Sequence, residues 1–567
     1  MIFSTVVSVI LAIFCILVGY VTLPALTLAS AGLWCYLLLV AVCIAGAVSL
    51  FLFAADYEDK IFIPWLCVVG FALIFAICGI VSGHAFHYEK ARAVADVTVS
   101  EEGISEAFPD LTEAKNRQNL PLVDLDTAKI LGDKKVAGLK NASWYDVDDE
   151  YNLVIFQGKQ YRLSVIDYGG YFKFRKARDF GLPGYVLVSV TPENGTVTQE
   201  AQVVTLDEPI RYSPGAYFSK DLKRHLRSQF KSYIFDTSFI EIDEEGNPFW
   251  VTGVLRPTAG PFGVKTVTSF ILTDAQSGES KEYKISEAPE WVDHIYSLDY
   301  LMTIAGWHYR YVNGWFNLSK TGVWNTSYEY RGSSSSSENS EAGKFANFFG
   351  YSSIVDKDGQ VQFYTGLTAA NNAESNLGWL TIDTSTGRMT QYEVLGAEES
   401  SAQSAVETLV QAQKYEATFP LPANIGGQAS YLMLLKGKSG LAQGYAICNV
   451  ENFSVAVQAE TLDKAISAYM AKLTGKEPEP SNETATDTTE TPAITAEKTG
   501  RIEAVYTADI KGTTYFYFQI DGVLYSAPVT VNERMVTFKV GEEVKFTYSP
   551  TEDNSIPRIL KIDISPN

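Results

Sequence analysis

IFSTVVSVILAIFCILVGY (Ile2–Tyr20), WCYLLLVAVCIAGAVSLFLF (Trp34–Phe53) and IFIPWLCVVGFALIFAICGIV (Ile61–Val81) decide the architecture of this chain. Each run reaches the roughly 20 apolar residues that a helix needs to cross a bilayer. Pro24, with Thr22 and Thr27, breaks the first run from the second, and the charged turn Asp56-Tyr57-Glu58-Asp59-Lys60 separates the second from the third. A soluble core seldom holds three such runs so close together. The sequence therefore predicts transmembrane helices at 2–20, 34–53 and 61–81 within a region 1–83. Ala29-Ser30-Ala31 resembles a signal-peptide cleavage site, but the positive n-region is missing, so the first helix is read as retained. Both readings leave everything after Gly83 on one side of the cell membrane, and with the N-terminus inside that side is extracytoplasmic. Positive-inside counting decides little, since Lys60 faces Lys90 and Arg92 across the bilayer.

Working outward, residues 1–55 carry no charged side chain, so the formal charge of −21 belongs to the rest of the 567 residues. Such a surface repels phosphate backbones, and nucleic-acid binding is excluded. Five of the six cysteines lie in the apolar runs, where Cys behaves as a small hydrophobe; only Cys448 lies beyond them, so no disulfide scaffold forms there.

Residues 84–125 read as a juxtamembrane helix and connector, and 126–235 as a first α+β unit in which Leu153–Val165 turns at Gly158-Lys159 as a hairpin. A weak internal repeat follows. IEIDEEGNPFWVTG (Ile240–Gly253) and FILTDAQSGESKEYKI (Phe270–Ile285) precede a helix-like stretch from Ala288 to Met302. SIVDKDGQVQFYTG (Ser353–Gly366) and WLTIDTSTGRMTQYEV (Trp379–Val394) precede another from Ala397 to Gln413. The turn glycines recur as Gly246 and Gly359, then Gly278 and Gly387, at offsets of 113 and 109 residues. These give repeat units at 236–345 and 346–473, the latter with a fainter copy ending in a helix at Thr461–Leu473. Two hairpins and a helix per copy predict antiparallel sheets with helices on one face, an α+β fold.

Gly332–Ser340 is a serine tract, and 474–499, rich in Thr, Glu and Pro, reads as a disordered linker of the kind found outside bacterial membranes. Beyond it, 500–567 predicts a small OB-like or SH3-like β-barrel with strands at Ile502–Tyr506, Thr514–Ile520, Leu524–Ala527, Val536–Val540, Val544–Tyr548 and Arg558–Ile564. Nine acidic and seven basic residues between Arg501 and Ile564 deny it the positive funnel of a single-strand binder.

KDLKRHLRSQFK (Lys220–Lys231) is the sharpest surface signal. Leu222, Leu226 and Phe230 form an inward stripe, while Lys220, Lys223, Arg224, Arg227 and Lys231 crowd the other faces against Asp221 alone. These five cations suit an anionic lipid head group or envelope polymer. The alternative is an internal counter-charge for the acidic sheets around them. His84 and His87 stand at i, i+3 without a paired metal spacing, and the turns at Asp243 and Asp356 begin like calcium loops but lack the bidentate Glu at the twelfth position. No nucleophile elbow, P-loop or dinucleotide fingerprint occurs in a strand-turn-helix setting. The sequence therefore names no catalytic residue, no metal ligand and no cofactor.

VDLDTAKILGDKK (Val123–Lys135), SKDLKRHLR (Ser219–Arg227), IDEEGNPFW (Ile242–Trp250) and PEWVDHIY (Pro289–Tyr296) resemble segments of an uncharacterised family of Gram-positive bacterial membrane proteins, over roughly residues 120–473. The turns Asp274–Gly278 and Asp383–Gly387 resemble the D-x-x-[ST]-G turn of PepSY-type domains. The family resemblance implies a bacterial envelope protein and supplies no activity. Two expectations follow. The first is a non-enzymatic protein that binds, scaffolds or senses, with the lipid bilayer and a membrane protein or anionic envelope polymer as partners. The second is an envelope hydrolase or transferase whose carboxylates, among them Asp236, Glu241, Asp293 and Asp299, converge only in the fold.

Overall fold

The three apolar runs fold as α1 (Ile2–Thr22), α2 (Ala31–Ala54) and α3 (Phe62–Val81), each long and apolar enough to cross a membrane. The computed structural model describes residues 2–564 other than 102, 194, 313, 316–322, 327–349, 370–374, 476–495, 511–512, 529–530 and 550–556. The serine tract at 332–340 and most of the linker at 474–499 lie outside the described residues. Ser4 Oγ donates to Leu50 O (3.2 Å) and Trp65 Nε1 to Ser49 Oγ (3.1 Å), so α1, α2 and α3 alternate in direction. The end of α1, the start of α2 and the end of α3 thus share one end of the bundle. Apolar side chains such as Ile13, Ile16 and Leu17 point outward from it, as they do in a helix solvated by lipid.

The rest of the large unit is α+β. After α3, the short helix α4 (Tyr88–Val94) leads to β1 (Val97–Val99). Four antiparallel meanders follow. β2 (Asn152–Phe156), β3 (Lys159–Tyr168), β4 (Leu182–Ser189) and β5 (Ala201–Ile210) pair in chain order. So do β6 (Ile234–Ile242), β7 (Pro248–Ala259), β8 (Gly263–Asp274) and β9 (Ser280–Tyr283). The third set is β10 (Ser352–Val355), β11 (Val361–Ala369), β12 (Ser375–Asp383) and β13 (Met389–Tyr392), with β1 added in parallel beside β13. The fourth is β14 (Leu421–Ile425), β15 (Gln428–Lys436), β16 (Ala442–Asn449) and β17 (Ala456–Ala459).

Helices punctuate these sheets. α5 (Leu125–Val136) precedes the first and α6 (Tyr171–Ala177) interrupts it, while α7 (Leu222–Gln229), α8 (Leu298–Arg310), α9 (Glu399–Leu409) and α10 (Leu462–Thr474) follow the four sheets in turn. One core runs from Leu122 and Val123 through Leu163 and Trp379 to Tyr469, and a second joins Phe270, Leu301, Ile304 and Leu380.

The turns show why their residues are Asp and Gly. Asp243 Oδ1 accepts from the amides of Glu245 and Asn247 (3.1 and 2.8 Å), and Asp356 Oδ1 accepts from Asp358 and Gln360 (2.9 and 2.8 Å). These carboxylates bind their own backbone. Asp274 Oδ1 and Asp383 Oδ1 each do the same for the amides two and three residues on.

Two sequence expectations are corrected. The helix expected from Ala288 begins only at Leu298, where Ser297 Oγ accepts from Tyr300 N (3.2 Å). Residues 288–297 run irregularly because Ile295 and Tyr296 donate to Thr384 O (3.0 and 3.1 Å) in the turn after β12, a long-range pairing that outweighs local helical pattern.

The C-terminal unit, taken by itself, comprises β18 (Ala496–Ile510), β19 (Thr513–Ile520), β20 (Val523–Pro528), β21 (Glu543–Ser549) and β22 (Arg558–Ile564). Its pairing runs β18-β19-β20-β22-β21 and returns to β18. The strand expected at Val536–Val540 is replaced by a 3-10 turn, Glu533–Thr537, which turns Met535 into the core, with Phe538 just beyond it. β18 starts at Ala496, inside the 474–499 stretch.

Candidate functional site

The basic helix α7 forms for local reasons. Asp221 caps it by accepting from Arg224 N (2.7 Å), and Leu222 and Leu226 face inward at 2% and 1% exposure. Its cations then meet the end of α1. Arg224 Nη1 donates to Tyr20 O (2.7 Å) while its guanidinium lies 3.8 Å over the Tyr20 ring. Arg227 Nε donates to Leu23 O (3.2 Å), and its Nη1 gathers the carbonyls of Phe230, Lys231 and Tyr233. Lys220 sits 4.1 Å over the Tyr212 ring, and Lys223 and Lys231 are exposed. None of the five pairs with a carboxylate among the described residues. Sequence pattern found the helix; it had no means of finding the partner, because carbonyls at a helix end carry no residue signature.

A second contact holds the same end of the bundle. The β7–β8 turn places Phe262 against Trp34 and Phe75, with ring centroids 5.9 and 5.7 Å apart, and Phe262 N donates to Ser82 Oγ (3.0 Å). Gly263 permits the approach, since a Cβ there would lie 1.8 Å from Ser82 O. Nearby, His84 Nδ1 meets the Tyr311 hydroxyl and His87 Nε2 the Val81 carbonyl, so both histidines are engaged by the seam. The sheets therefore rest directly on the apolar helices.

Above α7 opens a cleft of about 560 Å³ whose lining includes Asp148, Glu150, Asp221, Lys223, Asp236 and Trp250. Burial pushes all four carboxyls above their ordinary range; Asp148 adds to the effect on Glu150, and Asp299 to that on both Glu150 and Asp236. Two of them have visible structural tasks. Asp221 caps α7, and Asp236 accepts from Ser297 Oγ and N (2.9 and 3.2 Å), fixing the start of α8.

Glu241 and Asp293 converge elsewhere, at a buried junction of the first three sheets. His294 Nδ1 lies 2.7 Å from Glu241 Oε1, with both side chains at most 1% exposed. Asp293 Oδ2 accepts from Ile155 N (2.8 Å), and Thr384 Oγ1 donates to Asp293 O. Burial pushes Asp293 up to about 8, reinforced by Glu241, pushes His294 down to about 4, and raises Glu241 strongly. Burial thus favours a neutral pair in which the Glu241 carboxyl donates to the imidazole. Among the described residues, Glu241 Oε2 has no hydrogen-bond partner. His294, 53 residues from Glu241, is not singled out by sequence, since a lone His between Asp293 and Ile295 carries no metal or triad spacing.

Among the described residues no group of three or more His, Cys, Asp or Glu side chains is placed to hold a metal ion. Comparison with protein-family models and with curated proteins gave no match.

Proposed function

We propose that this chain is a membrane-anchored, non-enzymatic cell-envelope protein that binds, scaffolds or senses through a β-rich region outside the cytoplasm. The observation that carries the reading is the seam: α7 and the Phe262 turn clamp the sheets to one end of the apolar bundle. A region clamped in this way can pass a load or a conformational bias to the helices, which a free tether cannot. Three crossings, an extracytoplasmic large region and membership of the Gram-positive family resembled above belong to this reading. So do an origin of the meanders by duplication, supported by the matching Asp turns, and a terminal unit of OB or SH3 kind. Lys220, Lys223 and Lys231 are assigned to an anionic partner, with Arg224 and Arg227 holding the helix that presents them.

A second reading, an envelope hydrolase or transferase, has one observation in its favour: the cleft lined by four carboxyls with raised pKa. The structural tasks of Asp221 and Asp236 argue against it. Photo-crosslinking in intact cells from position 223, read by mass spectrometry, tests the choice. A discrete membrane protein or anionic polymer should be captured, and Glu150→Gln with Asp148→Asn should leave that capture and the associated phenotype intact. Loss of an envelope-cleaving activity in that variant would overturn the first reading.

A further inference from the structure

Beside α7, the helix α6, its exit and the turn before α7 carry a largely exposed aromatic surface. Phe172 is 80% exposed, Phe180 67% and Phe218 52%. Tyr171 joins Phe172, Tyr217 and Phe218 through ring contacts of 5.5, 5.3 and 6.3 Å, and Trp144 reaches Phe180 at 5.9 Å. Phe218 is held at φ +57, a conformation costly for an aromatic residue, in the turn that feeds α7. Cations ring the patch. The stretch Tyr171–Phe180 contains Lys173, Arg175, Lys176 and Arg178 against Asp179 alone, in a chain of net charge −21. Lys173 bonds Asp146 and Arg178 lies near Asp179, while Arg175 and Lys176 are exposed.

The orientation of α7 identifies what covers this surface. Three rungs tie the helix to α1 and its exit: Arg224 to Tyr20, Arg227 to Leu23 and Lys231 to Leu26. Both members of each rung advance together, so α7 leaves the bundle alongside α1. Its N-terminal end, with the turn Tyr217–Lys220, is the end nearer the apolar span.

We propose that this aromatic and cationic surface lies in the head-group zone of the bilayer, with Phe172 and Phe218 among the acyl ends and Arg175 and Lys176 on anionic phosphates. The proposal rests on the membrane reading of α1–α3 and adds to it a contact made by the extramembrane region. Aromatic rings flanked by Lys and Arg are the usual composition of such a contact. Continuity with the seam and the local reversal of charge favour lipid over a protein partner.

The test uses full-length protein in nanodiscs of phosphatidylcholine, with and without phosphatidylglycerol, carrying a benzophenone amino acid at 172, 218 or 13. Lipid adducts are expected at all three. Arg175→Glu with Lys176→Glu should lower adduct yield at 172 about fivefold or more when phosphatidylglycerol is present, since each surface cation contributes about 1 kcal/mol to anionic-membrane attraction. Lipid adducts at 13 with none at 172 and 218 would overturn this proposal alone. Their absence at all three would overturn the membrane reading too. Adducts at 172 confined to another protein in cells would assign the patch to a partner and refute it.

Discussion

Raising the pH from 6.5 to 8 should weaken the large unit, and Asp293→Asn should remove the share of that weakening that Asp293 contributes, Glu241 acting in the same sense. Asp293 is 9% exposed, and burial, reinforced by Glu241, pushes its pKa up to about 8. The folded chain therefore keeps a proton that the unfolded chain, with a carboxyl near ~4, has already released. That stabilisation is complete below pH ~4 and is lost as pH climbs through about 8. His294 acts in the opposite sense. Its pKa is pushed down from 6.5 to about 4, so stability rises with pH across that interval. The two slopes oppose each other below 6.5 and leave Asp293 acting without opposition from His294 above it. One proton contributes at most about 1.4 kcal/mol per pH unit, so the interval from 6.5 to 8 carries up to about 2 kcal/mol. Asn retains a carbonyl oxygen for Ile155 N, which keeps the variant's geometry. Differential scanning fluorimetry of the full-length protein in detergent, at three pH values across the interval, reads the effect. Wild type should lose more Tm across the interval than the variant, which keeps only the Glu241 contribution. Parallel curves would refute the assignment of a neutral carboxyl to Asp293.

Gly263→Ala forces a Cβ to within 1.8 Å of Ser82 O unless the turn retreats, so Phe262 should leave Trp34 and the change should register in tryptophan fluorescence. Arg227→Ala strips hydrogen bonds from four carbonyls and should cost about 1–3 kcal/mol, with Arg227→Lys unable to restore the loss because one ammonium cannot span them. Lys436→Met leaves Asp124 buried without its 2.5 Å partner and should cost about 3–5 kcal/mol in a denaturant titration. Adding Asp124→Asn should recover part of it.

Much of the architecture was legible because it rests on local signals. The three spans follow from length and apolarity, and α7 from Leu222 and Leu226 at helical spacing. The hairpins follow from Asp and Gly at their turns. What escaped rests on long-range contacts. Pro289–Tyr296 looks helical by composition, but it pairs with Thr384 some 90 residues on. Pro261-Phe262-Gly263 reads as an ordinary turn, and only the fold reveals that Phe262 enters a slot between Trp34 and Phe75. Glu241 and Asp293 were named among converging carboxylates, yet they gather with His294 at a buried junction rather than in the cleft that Asp236 lines.

Hydrogen exchange of the full-length protein in nanodiscs tests the central claim, that the sheets are seated on membrane-embedded helices. The amides of Phe262 and Leu26 are bonded only across the seam, to Ser82 Oγ and Lys231 O. Both should exchange slowly, along with α1–α3. Exchange of both at the rate of an open turn such as Gln157-Gly158 would contradict the account.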